Sequence, residues 1–177
     1  MYCGDMGFQL VSEITAPVSL NRIRFQEYTM LEIKDMTFSE IEGLLERVRY
    51  GHLGCAQDNH PYVVPIHFAY DDRTIYIFTT EGKKSDMIDA NAEVCLQVEE
   101  VIDDENWSSV VVVGDAEKLT DANDRKKAIV AITAANPTLT PALSFRWVDK
   151  WVREQKDSEV IYRINRKAIT GRQVGGH

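Results

Sequence analysis

Tyr62-Val63-Val64-Pro65-Ile66-His67-Phe68-Ala69-Tyr70, then Asp71-Asp72-Arg73, then Thr74-Ile75-Tyr76-Ile77-Phe78-Thr79-Thr80: the reading of this stretch decides the fold class. β-Branched and aromatic residues crowd both runs, and the polar residues between them are turn formers. The segment therefore reads as two antiparallel strands joined by a tight turn. Pro65 interrupts an otherwise uniform strand. Proline has no N–H to give to a ladder, so it should lie at an edge, at a bulge or where pairing is interrupted. A bulge there would aim backbone groups at a ligand.

The same grammar continues outward in both directions. Upstream, Gly51 to Gln57 reads as a short strand and Asp58-Asn59-His60-Pro61 as a turn. Before them, Thr37 and Glu40 form a T-x-x-E capping box, and Phe38, Ile41, Leu44, Leu45 and Val48 recur at helical spacing until Gly51. Downstream, Gly82-Lys83-Lys84 reads as a loop and Ser85 to Ala90 as a short helix. Glu93 to Val101 reads as a half-buried strand, and Ser108 to Leu119 as a valine-rich one. Asp121 is the candidate N-cap of a helix reaching about Ala135, and Asn136-Pro137 ends it. Pro141 opens a second helical stretch carrying Phe145, Trp147, Val148 and Trp151, and Val160 to Ile164 closes the chain as a strand. Six strands joined mostly by tight turns predict a mainly β, α+β fold. The expected form is a small antiparallel barrel, closed or partly open, with peripheral helices. Residues 1–28 have no clear period and read as an N-terminal extension, which leaves 29–177 as a single domain.

Composition narrows the partners. The chain has 177 residues, 20 Lys plus Arg against 28 Asp plus Glu, a net charge of −8 and a hydrophobic fraction of 44%. That length is ordinary for one domain, and that balance for a globular one. Without a broad basic face, nucleic acid and anionic membranes are not expected partners, and no apolar run approaches the roughly 18 residues of a membrane span. Cys3, Cys55 and Cys95 form an odd set without C-x-x-C spacing, and no signal-peptide pattern opens the chain, so a reduced, cytoplasmic protein is expected, its cysteines acting as small buried hydrophobes. His52, His60, His67 and His177 show no H-x-x-x-H, H-E-x-x-H or Cys–His pattern, and no metal site is expected. The G-x-S-x-G, Walker A and G-x-G-x-x-G signatures are also missing from the sequence.

One local exception to the acidic balance follows the second strand of the opening stretch. Thr79-Thr80-Glu81-Gly82-Lys83-Lys84 gathers two hydroxyls, a glycine and two ammonium groups where a strand leaves the sheet. Phosphate suits such a place: hydroxyls and loop amides donate to its oxygens, and lysine adds charge-assisted bonds. The same residues also make an ordinary solvated hairpin end, and composition alone leaves both readings open. His67 likewise reads either as a packed or surface histidine or as a functional one.

The order of motifs resembles a known family. Gly51-His52-Leu53-Gly54, then Pro61 to Phe68, then Ile75 to Lys84, then Val94 to Val98, look like the FMN-binding split-barrel family. Within it they are closest to the pyridoxamine 5′-phosphate oxidase-related proteins that include the nitroimidazole reductases. Trp107 to Val110 running into Val113 to Glu117, and Val160 to Gly171, continue the match, which spans residues 36–172. The resemblance implies a homodimer of six-stranded barrels with one FMN in each interface cleft. It implies that Pro65, Ile66, His67 and Phe68 line the flavin ring, that Thr79, Thr80, Lys83 and Lys84 hold ribityl and phosphate, and that Trp107 and Ser108 reach the cofactor from the other subunit. Phe78-Thr79-Thr80 departs from the pattern, because many relatives carry His-Ser-Ala there.

The function so implied is an FMN-dependent oxidoreductase moving electrons or hydride between flavin and a small substrate or nicotinamide donor (NADH or NADPH). In such an enzyme the cofactor carries the redox chemistry and the protein binds and orients it. The alternative is a non-catalytic dimeric module on the same barrel that binds flavin, or haem with His67 as axial ligand. A third reading is a dimeric scaffold with an empty cleft.

Overall fold

The computed structural model describes residues 31–135 and 159–175. The elements are β1 (Lys34–Asp35), α1 (Phe38–Arg47), β2 (Tyr50–Gln57), β3 (His60–Asp71), β4 (Thr74–Thr80), α2 (Lys83–Ala90), β5 (Glu93–Asp103), β6 (Asn106–Lys118), α3 (Ala122–Ala135) and β7 (Glu159–Val174). The expected boundary near residue 28 and the aromatic stretch after Pro141 lie outside the described residues.

All strands belong to one antiparallel sheet in the order β1-β7-β4-β3-β2-β5-β6, and β6 also pairs with β7. That last pairing closes β2 to β7 into the six-stranded barrel the sequence predicts. The two-residue β1 is a seventh strand, added at the far end of β7 through Lys34↔Gln173 and Asp35↔Arg172. Two hairpins turn on pairs of left-handed residues: Asp58 and Asn59 at φ 49° and 62°, and Asp72 and Arg73 at φ 47° and 62°. Positive φ at both central residues matches the twist of the flanking strands, so the first turn is tighter than predicted and His60 and Pro61 already belong to β3.

Inward-facing residues alternate along each strand. Leu53 and Cys55, Ile66 and Phe68, Ile75 and Ile77, Val94, Leu96 and Val98, and Val110 and Val112 pack together inside the barrel. Ile41, Leu44 and Leu45 of α1 and Met87 and Ile88 of α2 join the same core. α3 covers part of the outer surface instead, its Ala128 and Ile132 clustering with Ala69, Tyr76 and Ile161. Phe78 packs against this outer cluster.

Pro65 sits where pairing is interrupted. β3 pairs with β2 along its length without a register shift, from Gln57↔His60 to Tyr50↔His67, so there is no bulge. Its pairing with β4 covers only Phe68↔Ile77 to Asp71↔Thr74. The N–H of Phe68 donates to the Arg49 carbonyl on the β2 side at 3.1 Å. By the alternation of an antiparallel ladder, Val63, Pro65 and His67 turn their backbone groups to the opposite edge, which β4 has left open. A residue without an N–H costs no ladder bond there. The barrel is split along this edge.

Candidate functional site

β4 ends at Thr80 and the chain passes through Gly82 directly into α2. Gly82 holds φ 149°, a conformation that side chains rarely adopt. Its N–H donates to Ser85 Oγ, and the Ser85 hydroxyl donates to the Gly82 carbonyl, both at 2.8 Å. This corrects the sequence reading: Lys83 and Lys84 are the first residues of α2 and not a loop before it. Sequence missed it because cations at a helix N-terminus oppose the macrodipole and do not read as a helix start.

The two lysines have different surroundings. Lys83 is exposed, and its ammonium lies over the Tyr62 ring, 4.5 Å from the centroid. Lys84 is half-buried, and among the described residues it makes no ion pair with a carboxylate. Desolvation pushes its pKa below the ordinary lysine value, with Cys55 the electrostatic neighbour acting the other way. Cys55 is itself buried, its Sγ 3.7 Å from the Tyr62 carbonyl oxygen. Burial raises its thiol pKa, which Lys84 and Lys83 partly offset. Cys55 and Tyr62 oppose each other across β2 and β3. Alternation in the sequence places Cys55 inward, but nothing in it announced that Lys84 would be its neighbour.

The other expected site residues divide into groups. Thr79 is buried and donates to the Thr80 carbonyl at 3.3 Å, whereas Thr80 is exposed on the other face of β4. Ile66 and Phe68 are 5% and 1% exposed, with side chains in the barrel core. Pro65 is exposed and His67 half-buried on the outer face, where the His67 ring meets Tyr50 edge to face at 5.4 Å. Trp107 and Ser108 stand far from the lysines. Cys55, beside Lys84, pairs with Val94 of β5, and Trp107 pairs with Val101 of the same strand. Seven residues of strand separate those partners, about 23 Å at the usual rise. One small ligand cannot touch Lys84 and Trp107 of the same chain.

Chemically, the lysine end suits an anion. The first N–H groups of a helix have no intrahelical acceptor and carry partial positive charge. Lys84 adds a formal charge held in a partly desolvated place without a carboxylate counterion among the described residues. Nearby, the open edge of β3 offers backbone donors and acceptors. Among the described residues, no group of three or more His, Cys, Asp or Glu stands close enough to hold a metal ion. No described helix is long and apolar enough to cross a membrane.

Comparison with known proteins gives concordant results. The pyridoxamine 5′-phosphate oxidase family matches residues 38–173. An uncharacterized protein of Rhizobium meliloti is 33% identical over 87 residues, which are 49% of this chain and 58% of that protein's length. A FAD-binding protein from Mesorhizobium loti superposes with a TM-score of 0.65 at 29% identity, covering 82% of this chain and 99% of that one. The FAD-binding protein from Mycobacterium smegmatis superposes with a TM-score of 0.60 at 26% identity, covering 81% of this chain and 100% of the other.

Proposed function

The chain belongs to the pyridoxamine 5′-phosphate oxidase family, and from that premise we propose that it is an FMN-dependent oxidoreductase acting as a homodimer. The observation that carries the reading is Lys84: a half-buried ammonium without a carboxylate partner among the described residues, in the first turn of α2. Burying a charge is costly unless something pairs with it. A phosphate seated on the first turn of α2 supplies that pair. The place fits the group sterically as well, since a Cβ built on Gly82 would meet nothing within 4 Å.

In this reading Lys84 carries the charge-assisted contact to the phosphate, Lys83 adds a second positive charge from the surface, and the α2 amides complete the cradle. Of the two β4 hydroxyls, that of the exposed Thr80 is available to the ribityl chain, while the buried Thr79 donates to the Thr80 carbonyl. Val63, Pro65 and His67 present the unpaired backbone edge to the polar rim of the ring, while Ile66 and Phe68 support that edge from the core. Bound there, the flavin supplies electron and hydride transfer. Trp107 and Ser108 come from the second copy, because about 23 Å of β5 puts them out of reach within one chain. The substrate side takes a small molecule, with NADH or NADPH as the candidate donor.

The two relatives described as FAD-binding favour a second reading in which the cofactor is the dinucleotide. FAD carries a phosphate at the same point of the ribityl chain, so Lys84 serves either.

Fluorescence titration of the purified protein with FMN and with FAD tests binding. Lys84→Ala should weaken it by about 1–2 kcal/mol, roughly 5- to 30-fold. Unchanged affinity would remove Lys84 from the site. Anaerobic mixing with NADH or NADPH then tests catalysis: bleaching of bound flavin is expected, and a flavin that neither donor reduces would leave a binding module without this activity.

A further inference from the structure

Outside the lysine site, the residue that the fold does not explain is Gly43. It lies in the middle of α1, where a residue without a side chain weakens the helix. Other glycines of this protein answer to sterics: a Cβ at Gly51 or Gly114 would fall 2.4 Å from a backbone carbonyl oxygen. At Gly43 a Cβ would meet no atom of the described residues within 4 Å. Packing therefore does not require this glycine. What the missing side chain leaves is room.

That room is part of a cavity of about 190 Å3 between α1 and the ends of β5, β6 and β7, with Trp107, Ser108 and Gln173 also in its walls. Its charged groups are already engaged. Arg47 donates to the Glu100 carboxylate from Nε at 3.1 Å and from Nη2 at 2.6 Å, and to the Gly43 carbonyl at 3.1 Å. Glu40 accepts from the Thr37 N–H at 2.6 Å, from the Thr37 hydroxyl at 2.7 Å and, through its other oxygen, from Gln173 Nε2 at 2.9 Å. No cation is left over for a phosphate. Trp107, the Ser108 hydroxyl, Gln173 Oε1 and the Asn106 amide oxygen remain.

We propose that this cavity binds a neutral, planar, amino-bearing heteroaromatic ring of the adenine type. The Trp107 indole and the open floor at Gly43 offer flat apolar contact, and Gln173 Oε1 and Ser108 accept from ring or exocyclic N–H groups. The cavity is smaller than the roughly 300–1,000 Å3 of sites for whole drug-sized ligands, so it takes one ring system and leaves sugar and phosphate outside. The base can come from FAD, from a nicotinamide dinucleotide or from a free adenine nucleotide. This site goes beyond the flavin reading, shares Trp107 and Ser108 with its second-copy end, and stands without it.

Calorimetric titration of the full chain with adenosine, AMP, ribose 5-phosphate, FMN, FAD and NADH tests the inference. Adenosine and AMP should bind with similar affinity and ribose 5-phosphate should not bind. Gly43→Leu fills the cavity and should weaken adenosine roughly tenfold or more. Gly43→Met, a more flexible filler, serves if the leucine variant does not fold. FAD tighter than FMN in the parent but equal to it in Gly43→Leu assigns the base to the flavin dinucleotide. A loss that extends from adenosine and AMP to NADH but not to FAD assigns it to the nicotinamide dinucleotide, and a loss confined to adenosine and AMP to a free nucleotide. The inference is overturned if the parent binds no adenosine at millimolar concentration, if ribose 5-phosphate binds as tightly as AMP, or if both filled variants keep the parent's adenosine affinity. Failure of the flavin reading shows separately, as loss of FMN binding in the parent.

Discussion

A lysine in the first turn of a helix is placed against the macrodipole, and Lys84 is also partly withdrawn from water. Both choices cost stability in the ligand-free protein, and bound phosphate would offset both. The sign of the proton linkage follows. Desolvation lowers the folded-state pKa of Lys84 below its ordinary 10.5, so between the two values the unfolded chain binds more protons than the native one. Stability of the ligand-free protein should therefore rise with pH across that window. A phosphate dianion beside the amine restores its pKa, so binding in the same window takes up a proton and weakens as pH rises. Calorimetry of FMN binding in two buffers of different ionisation enthalpy measures this uptake. It should vanish in Lys84→Met, and equal uptake in parent and variant would assign the proton elsewhere. The sequence showed this residue's charge and its position after a strand, and the family resemblance implied the role proposed for it. It could not show burial without a carboxylate partner among the described residues, because that depends on where Cys55 and Tyr62 of other strands come to rest.

At the scale of elements, legibility followed local chemistry. The start of α1 was readable because Thr37 and Glu40 satisfy each other within four residues of chain, with bonds of 2.6 Å and 3.4 Å in the structure. Asp121 was readable for the same reason, accepting from the N–H groups of Asn123 and Asp124 at 2.9 and 3.0 Å. β7 was not. It runs through Asn165-Arg166-Lys167 to Val174, a stretch too polar to read as strand beyond Ile164, because β6 pairs with it to its last residue. Lys167 and Arg163 are exposed or half-exposed and pair with Asp115 and Glu117 of β6 at 2.6 and 2.9 Å, contacts that sequence distance conceals. Glycine gives a paired prediction at this scale. Gly51→Ala drives a Cβ into the Gln97 carbonyl and should cost about 1–3 kcal/mol by urea unfolding. Gly43→Ala meets no atom and should stabilise by up to about 1 kcal/mol through helix propensity. A Gly43→Ala protein as unstable as Gly51→Ala would mean that α1 needs its glycine for packing.

The whole molecule poses a problem that a single chain does not solve. The two ends of the expected flavin cleft, Lys84 and Trp107, lie at opposite ends of β5, so the proposed site is complete only when a second copy brings its Trp107 to the first copy's Lys84. The outer face of the sheet offers the surface for this, since Val63 is 63% exposed on β3, with Pro65 beside it on the same face. Each copy carries a net charge of −8, so long-range electrostatics oppose association and burial of apolar area must drive it. Two consequences distinguish this arrangement from a monomeric flavin binder. Added salt should tighten the dimer by screening that repulsion, the reverse of an interface held by exposed ion pairs. Val63→Asp places a new charge on each face and should shift sedimentation from dimer to monomer. Because Lys84 is untouched, the monomer keeps the phosphate contact, so flavin binding should weaken without disappearing. Parent protein that sediments as a monomer while holding flavin, or a Val63→Asp monomer with the parent's flavin affinity, would confine the site to one chain and leave Trp107 and Ser108 outside it.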